Sequence, residues 1–168
     1  QFKLPTYNGG GYDFLVEWGD GSSDGIVTYG QAQTTHTYAT EGIYTITCKQ
    51  LNNATPIYRG FTFNAGIATS NDKEKILSFT QWGALDLAGA TDSGLGEYFN
   101  RCVNLDLSTV TDVLDLSNVN TLDIAFANTN FTTINRVNEW DVSTITDFSN
   151  CFSISQFNGD ISSWDVSN

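Results

Sequence analysis

Between Tyr12 and Trp18 bulky residues fall on every second position, with Tyr12, Phe14, Val16 and Trp18 alternating against Asp13, Leu15 and Glu17. A period of two places these four large side chains on one face of a strand. Gly19-Asp20-Gly21-Ser22 follows, where glycines supply positive φ and an Asp side chain bonds the backbone ahead, so the strand should end in a turn. A second strand is expected near Gly25 to Tyr29, and a third through Gly42 to Lys49, where Ile43, Thr45 and Thr47 oppose Tyr44, Ile46 and Cys48. A fourth is expected from Ile57 to Phe63, after a turn over Asn52 to Pro56. Short strands at this spacing predict a β-sandwich over residues 1–66.

Beyond about residue 67 the pattern becomes a repeat. Lys73-Glu74-Lys75 is a small basic cluster, and Ile76 to Trp82 opens the array. Leu85-Asp86-Leu87-Ala88, Leu114-Asp115-Leu116-Ser117, Trp140-Asp141-Val142-Ser143 and Trp164-Asp165-Val166-Ser167 share one phase, at spacings of 29, 26 and 24 residues. After two of these phrases come Val119, Leu122, Phe126 and Ile145, Phe148, Phe152. Both sets follow i, i+3, i+7, which puts three apolar groups on one side of a short helix. Phe131 and Phe157 each lie five residues further, on a return turn. One short strand plus one short helix per repeat predicts a leucine-rich-repeat-like solenoid. The expected fold is therefore mixed: an all-β sandwich over 1–66, a connector with a first strand or cap over 67–84, and about three repeats with an open C-terminal end over 85–168.

Composition narrows the partners. Seven basic against nineteen acidic residues give a net charge of −12, the wrong sign for the basic stripe that binds nucleic acid. Hydrophobic residues make up 40% and aromatics 13%, a globular rather than a disordered balance. No apolar run approaches the roughly 18 residues of a membrane helix. With no Met and a start at Gln1, the chain reads as a mature or trimmed product. Charged residues are only 15%, with Thr, Asn, Ser and Gly supplying the polar surface, a mixture associated with secreted or virion-surface proteins. Cys48, Cys102 and Cys151 make neither a metal motif nor an even disulfide framework, and buried free thiols are the favoured state.

Two resemblances follow from the motifs. Val16-Glu17-Trp18-Gly19-Asp20-Gly21-Ser22, then Thr35-His36-Thr37-Tyr38, then Gly42 to Thr47 resemble, in order, the PKD family of extracellular β-sandwiches. Phe157-Asn158-Gly159-Asp160-Ile161-Ser162-Ser163-Trp164-Asp165-Val166-Ser167-Asn168 resembles the repeat of BspA-type leucine-rich-repeat surface proteins. This second resemblance spans about residues 76–168. It departs at the loose first repeat from Gly89 to Gly96, and in having Phe or Leu where that family often has Met. It implies attachment to host or matrix proteins or to other cells.

Each candidate site has a plain structural alternative. Asp86, Asp115, Asp141 and Asp165 would form a repeat-phase acidic ladder facing a cation or ligand; the favoured alternative is that each carboxylate accepts backbone N–H groups at a corner. Asp20 and Asp24 offer oxygen donors at the spacing calcium takes, against the favoured reading of a hairpin turn. His36, the one histidine, is expected to serve the framework. Asn53-Ala54-Thr55 and Asn130-Phe131-Thr132 are sequons. Trp164 and Val166 would lie uncovered at the open end of the array.

No activated nucleophile or phosphate-binding loop accompanies the many carboxylates, and acids that recur with a repeat are unlike a unique catalytic pair, so an enzyme is not expected. Nor is a resident cofactor, calcium at Asp20 and Asp24 aside. The expected function is that of a surface-exposed adhesion or binding protein recognising a protein or glycan without membrane insertion. The alternative is a structural subunit of an extracellular or virion assembly that stacks on copies of itself, or a spacer for another domain.

Overall fold

The computed structural model describes residues 1–52, 58–63, 71–87 and 96–167. The sequon at Asn53, most of the turn before Pro56, most of the 65–72 connector, the loose stretch from 88 to 95 and Asn168 lie outside the described residues. Eight short strands are present among those described: β1 (Phe2–Lys3), β2 (Thr6–Tyr12), β3 (Phe14–Glu17), β4 (Ser23–Ile26), β5 (Thr35–His36), β6 (Thr47–Gln50), β7 (Tyr58–Phe61) and β8 (Leu85–Asp86).

The period of two over residues 12–18 sits where it should. Phe14, Val16 and Trp18 are fully buried and Tyr12 nearly so. The strand breaks at Asp13, however, so Tyr12 ends β2 while Phe14 and Val16 belong to β3. In one sheet β3 lies between antiparallel β4 and β6, with Val16 opposite both Asp24 and Cys48. The turn leaving β3 closes with the Trp18 N–H on the Ser22 carbonyl at 3.0 Å. Gly19 and Gly21 take φ of +84° and +92° there, conformations that L side chains rarely adopt.

A second sheet joins the two halves of the chain. β2 pairs antiparallel with β7, and β7 pairs parallel with β8, setting Tyr58 against Leu85 and Arg59 against Asp86. Rings of Phe61, Phe79, Trp82 and Phe99 interlock beneath this junction, with centroids 5.1 to 5.9 Å apart. One hydrophobic cluster runs from Leu4 through to Cys151.

The expected fold class is overturned. The N-terminal strands form three small open sheets of two, three and three strands, not a closed sandwich. Only residues 47–50 of the expected third strand are paired. The C-terminal segment is not a solenoid of strands and helices either. Among the described residues the helical elements are three short 3-10 turns, and neither apolar triad lies on a helix.

The cause is visible in the backbone. Ile124, Asn128, Asn150 and Ile154 take positive φ of 53° to 58°, which no α-helix accommodates. The N–H groups that would close i to i−4 bonds point instead to the next repeat: Ile124 to the Ser149 carbonyl, Phe126 to Cys151 and Asn128 to Ser153, each at 2.9 Å. Asn, Thr and β-branched residues in these stretches also favour a helix weakly.

The repeats nevertheless touch. Isolated parallel bridges join Ser78 to Asp106, Leu107 to Ile134 and Thr121 to Asp147. Phe99, Phe126 and Phe152 form a near-parallel column, with successive centroids 5.4 and 5.5 Å apart. The segment is thus a stack of irregular turns held by side-chain columns and single bridges.

Candidate functional site

The repeat phrases place their acids at turn corners. Asp115, Asp141 and Asp165 each accept the backbone N–H of the serine two residues ahead, at 2.9, 3.0 and 3.1 Å. Asp86 does not share this arrangement. It lies in β8, nearly buried, with the Asn118 amide donating to it at 3.3 Å and the Arg59 guanidinium 3.9 Å away. The four acids therefore do not form one uniform ladder.

A second set of corners escaped the repeat alignment. Asp106, Asp147 and Asp160 bind the N–H groups of Ser108, Ser149 and Ser162 at 2.8, 2.8 and 2.9 Å. The signal was available: Asp-x-Ser recurs at 20, 106, 115, 141, 147, 160 and 165. All seven carboxyls are held below the ordinary range by their serines. For Asp106, Asp115 and Asp160 the backbone N–H leads and the hydroxyl follows; for the other four the order is reversed.

Asp20 and Asp24 are occupied by internal donors. Asp20 Oδ1 accepts the Ser22 hydroxyl at 2.6 Å and its N–H at 3.0 Å, while Oδ2 lies 2.8 Å from His36 Nε2. Asp24 Oδ2 accepts the Trp18 indole N–H at 2.8 Å. The His36 ring stacks on Trp18 at 4.8 Å and meets Tyr38 edge-on at 4.6 Å, so it braces the turn against β3. No group of three or more acids, histidines or cysteines converges among the described residues.

Cys48, Cys102 and Cys151 are free thiols, each pushed up to about 12 by burial. Trp164 is half-buried, stacked on Trp140 and donating its indole N–H to the Val137 carbonyl at 2.8 Å; Val166 is exposed. No described helix is long and apolar enough to cross a membrane.

A shallow recess of about 300 Å³ lies between two consecutive turns, lined by residues 103–106 and 130–132. Its shape is fixed by amide clamps: Asn130 donates to the Val103 carbonyl at 3.0 Å, and Asn104 to the Glu74 carbonyl at 2.7 Å. Phe131 packs its ring edge-on to Phe126 at 6.0 Å underneath. With both amide nitrogens committed, the side-chain amide oxygens, the Asp106 carboxylate and the Thr132 hydroxyl give the rim an acceptor-rich character. Of these groups, the Asn130 sequon was singled out in the sequence, whereas Asp106 was not.

No curated protein and no solved structure matches the chain. Residues 1–92, which include the PKD-like motifs, lie outside any family match. Residues 93–168 match the model of a family described as Mycoplasma protein of unknown function, DUF285.

Proposed function

We propose that this chain is a non-enzymatic binding protein exposed on a cell or virion surface, recognising a protein or glycan through the recess between residues 103–106 and 130–132. The observation that carries this reading is the acceptor-rich rim on a stiff base. Asp106, Asn104 and Asn130 are held by turn and amide bonds, so little side-chain entropy remains to be lost on binding. Acceptors select ligands rich in donors, such as sugar hydroxyls or basic side chains. The net charge of −12 favours encounter with basic protein partners over anionic ones. The surface location draws its support from the DUF285 match and from the resemblance of its repeats to BspA-type surface proteins.

The test is binding of the purified chain to immobilised glycans and to extracellular-matrix proteins, read by biolayer interferometry. Asp106→Asn keeps the turn acceptor but removes the charge, and Asn130→Ala removes an amide from the rim. Either should weaken the selected interaction about tenfold, equivalent to about 1.4 kcal/mol. Binding that both variants leave unchanged, or no binding to either ligand class at about 1 mM, overturns the proposal.

A further inference from the structure

Asp123 presents an anomaly. It is 7% exposed, and its Oδ1 is buried with no hydrogen-bond partner, in a chain whose turn carboxylates are met by internal donors. A buried carboxylate oxygen without a donor is costly and calls for a ligand. The neighbouring repeat supplies another acid rather than a base. Phe99 N–H binds the Ala125 carbonyl at 2.8 Å and Arg101 N–H the Ala127 carbonyl at 2.9 Å, a register that sets Glu97 beside Asp123. The approach is close: a Cβ at Gly96 would stand 2.9 Å from the Thr121 carbonyl oxygen and 3.1 Å from that of Asp123.

Two acids in successive layers repel unless something positive lies between them. Glu97 registers this: its carboxyl is raised above the ordinary value, by burial first and by Asp123 next, while Lys73 and Arg101 oppose the shift. Those two bases serve Glu97, but Asp123 Oδ1 stays unpartnered. The nearby Cys151 thiol, pushed up to about 12 by burial and then by Asp123, remains protonated and is a poor ligand at neutral pH. What remains are two carboxylates and backbone carbonyl oxygens with room left by a glycine. That is a hard, all-oxygen donor set.

We propose that Glu97 and Asp123 are the carboxylate ligands of a calcium ion held between two successive repeats, with backbone carbonyl oxygen and water completing its shell. Calcium suits the site better than magnesium, because it accepts irregular oxygen sets and exchanges water readily. The ion would fasten one turn to the next where regular strand pairing is missing.

The test is thermal unfolding of the whole chain in EDTA and in about 5 mM calcium or magnesium chloride at matched ionic strength. Calcium should raise Tm by about 3 °C or more, and magnesium by less. Glu97→Gln and Asp123→Asn should each lose that rise, whereas Asp24→Asn should keep it. Isothermal titration of wild type and Glu97→Gln with calcium supplies a second readout should Asp123→Asn fold poorly. An unchanged wild-type Tm, an equal response to both ions, or a rise retained in Glu97→Gln overturns the proposal. So does an Asp123→Asn protein that is more stable than wild type in EDTA while wild type ignores calcium.

Discussion

Trp164 lies face to face with Trp140, ring centroids 6.0 Å apart and planes 14° from parallel, although 24 residues separate them. Each opens the same Trp-Asp-Val-Ser phrase. Trp164 also packs against Phe148 at 5.7 Å and gives its indole proton to the Val137 carbonyl. Truncating it removes a large half-buried ring and leaves a carbonyl short of a donor. Trp164→Ala should therefore cost about 3 kcal/mol in urea unfolding. Trp164→Phe, which restores a ring but not the N–H, should cost about 1 kcal/mol. Equal losses in the two variants would show that ring stacking contributes little.

Ile154 holds φ of +53° with its side chain 83% exposed. A β-branched residue is strained there, and exposure means that little packing offsets the strain. Ile154→Asn or Ile154→Gly should stabilise the protein by about 1 kcal/mol, whereas Ile154→Val, equally branched, should leave it unchanged. The equivalent corner 26 residues earlier carries Asn128, which tolerates this conformation. A loss of stability in Ile154→Asn would mean that the isoleucine is packed in a way its exposure does not reveal.

What the sequence made legible was the local chemistry. The Gly19 to Ser22 turn, the buried face of Phe14, Val16 and Trp18, and the corner role of Asp115, Asp141 and Asp165 follow from residue type and short spacing. The fold was not legible, because apolar spacing fixes which side chains face inward but not how the backbone reaches them. Val119, Leu122 and Phe126 are all buried, as a helix would make them, yet they arrive there through left-handed corners and bonds between repeats. The recess was hidden for a similar reason. Asn104, Asp106 and Thr132 are distant in sequence and meet only because residues 107 and 134 pair.

Two buried tyrosines should respond oppositely to loss of their hydroxyls. The Tyr12 hydroxyl lies 2.6 Å from the Tyr7 N–H, 2.9 Å from its carbonyl and 3.3 Å from that of Gly60, tying β2 to β7. Tyr12→Phe strands those groups and should cost about 2 kcal/mol. The Tyr58 hydroxyl is buried without a partner, while its ring stacks on Phe14 at 4.6 Å. Tyr58→Phe keeps that stack and sheds an unsatisfied group, so it should be neutral or stabilising by about 1 kcal/mol. Chemical denaturation of the two variants decides the matter, and a marked loss in Tyr58→Phe would mean that its hydroxyl has a donor or acceptor after all.

Acid should loosen the turns in a defined direction. The Asp-x-Ser carboxyls have folded pKa values below the ordinary value near 4, so between the two values the unfolded chain binds more protons than the folded one. The stability they add is complete above about pH 4 and is lost as pH falls through their folded values. Glu97 runs the other way. Its raised folded value makes its contribution greatest at low pH, and stability declines as pH rises from about 4.5 through that value. In EDTA, Asp141→Asn combined with Asp165→Asn should keep both turns through the amide oxygen while flattening the fall in Tm below about pH 4. Glu97→Gln should remove a decline above about pH 4.5 and leave the acid limb as in wild type. Should the Asp double variant lose Tm with acid as steeply as wild type, the corner carboxylates would not be the groups whose protonation unfolds the stack.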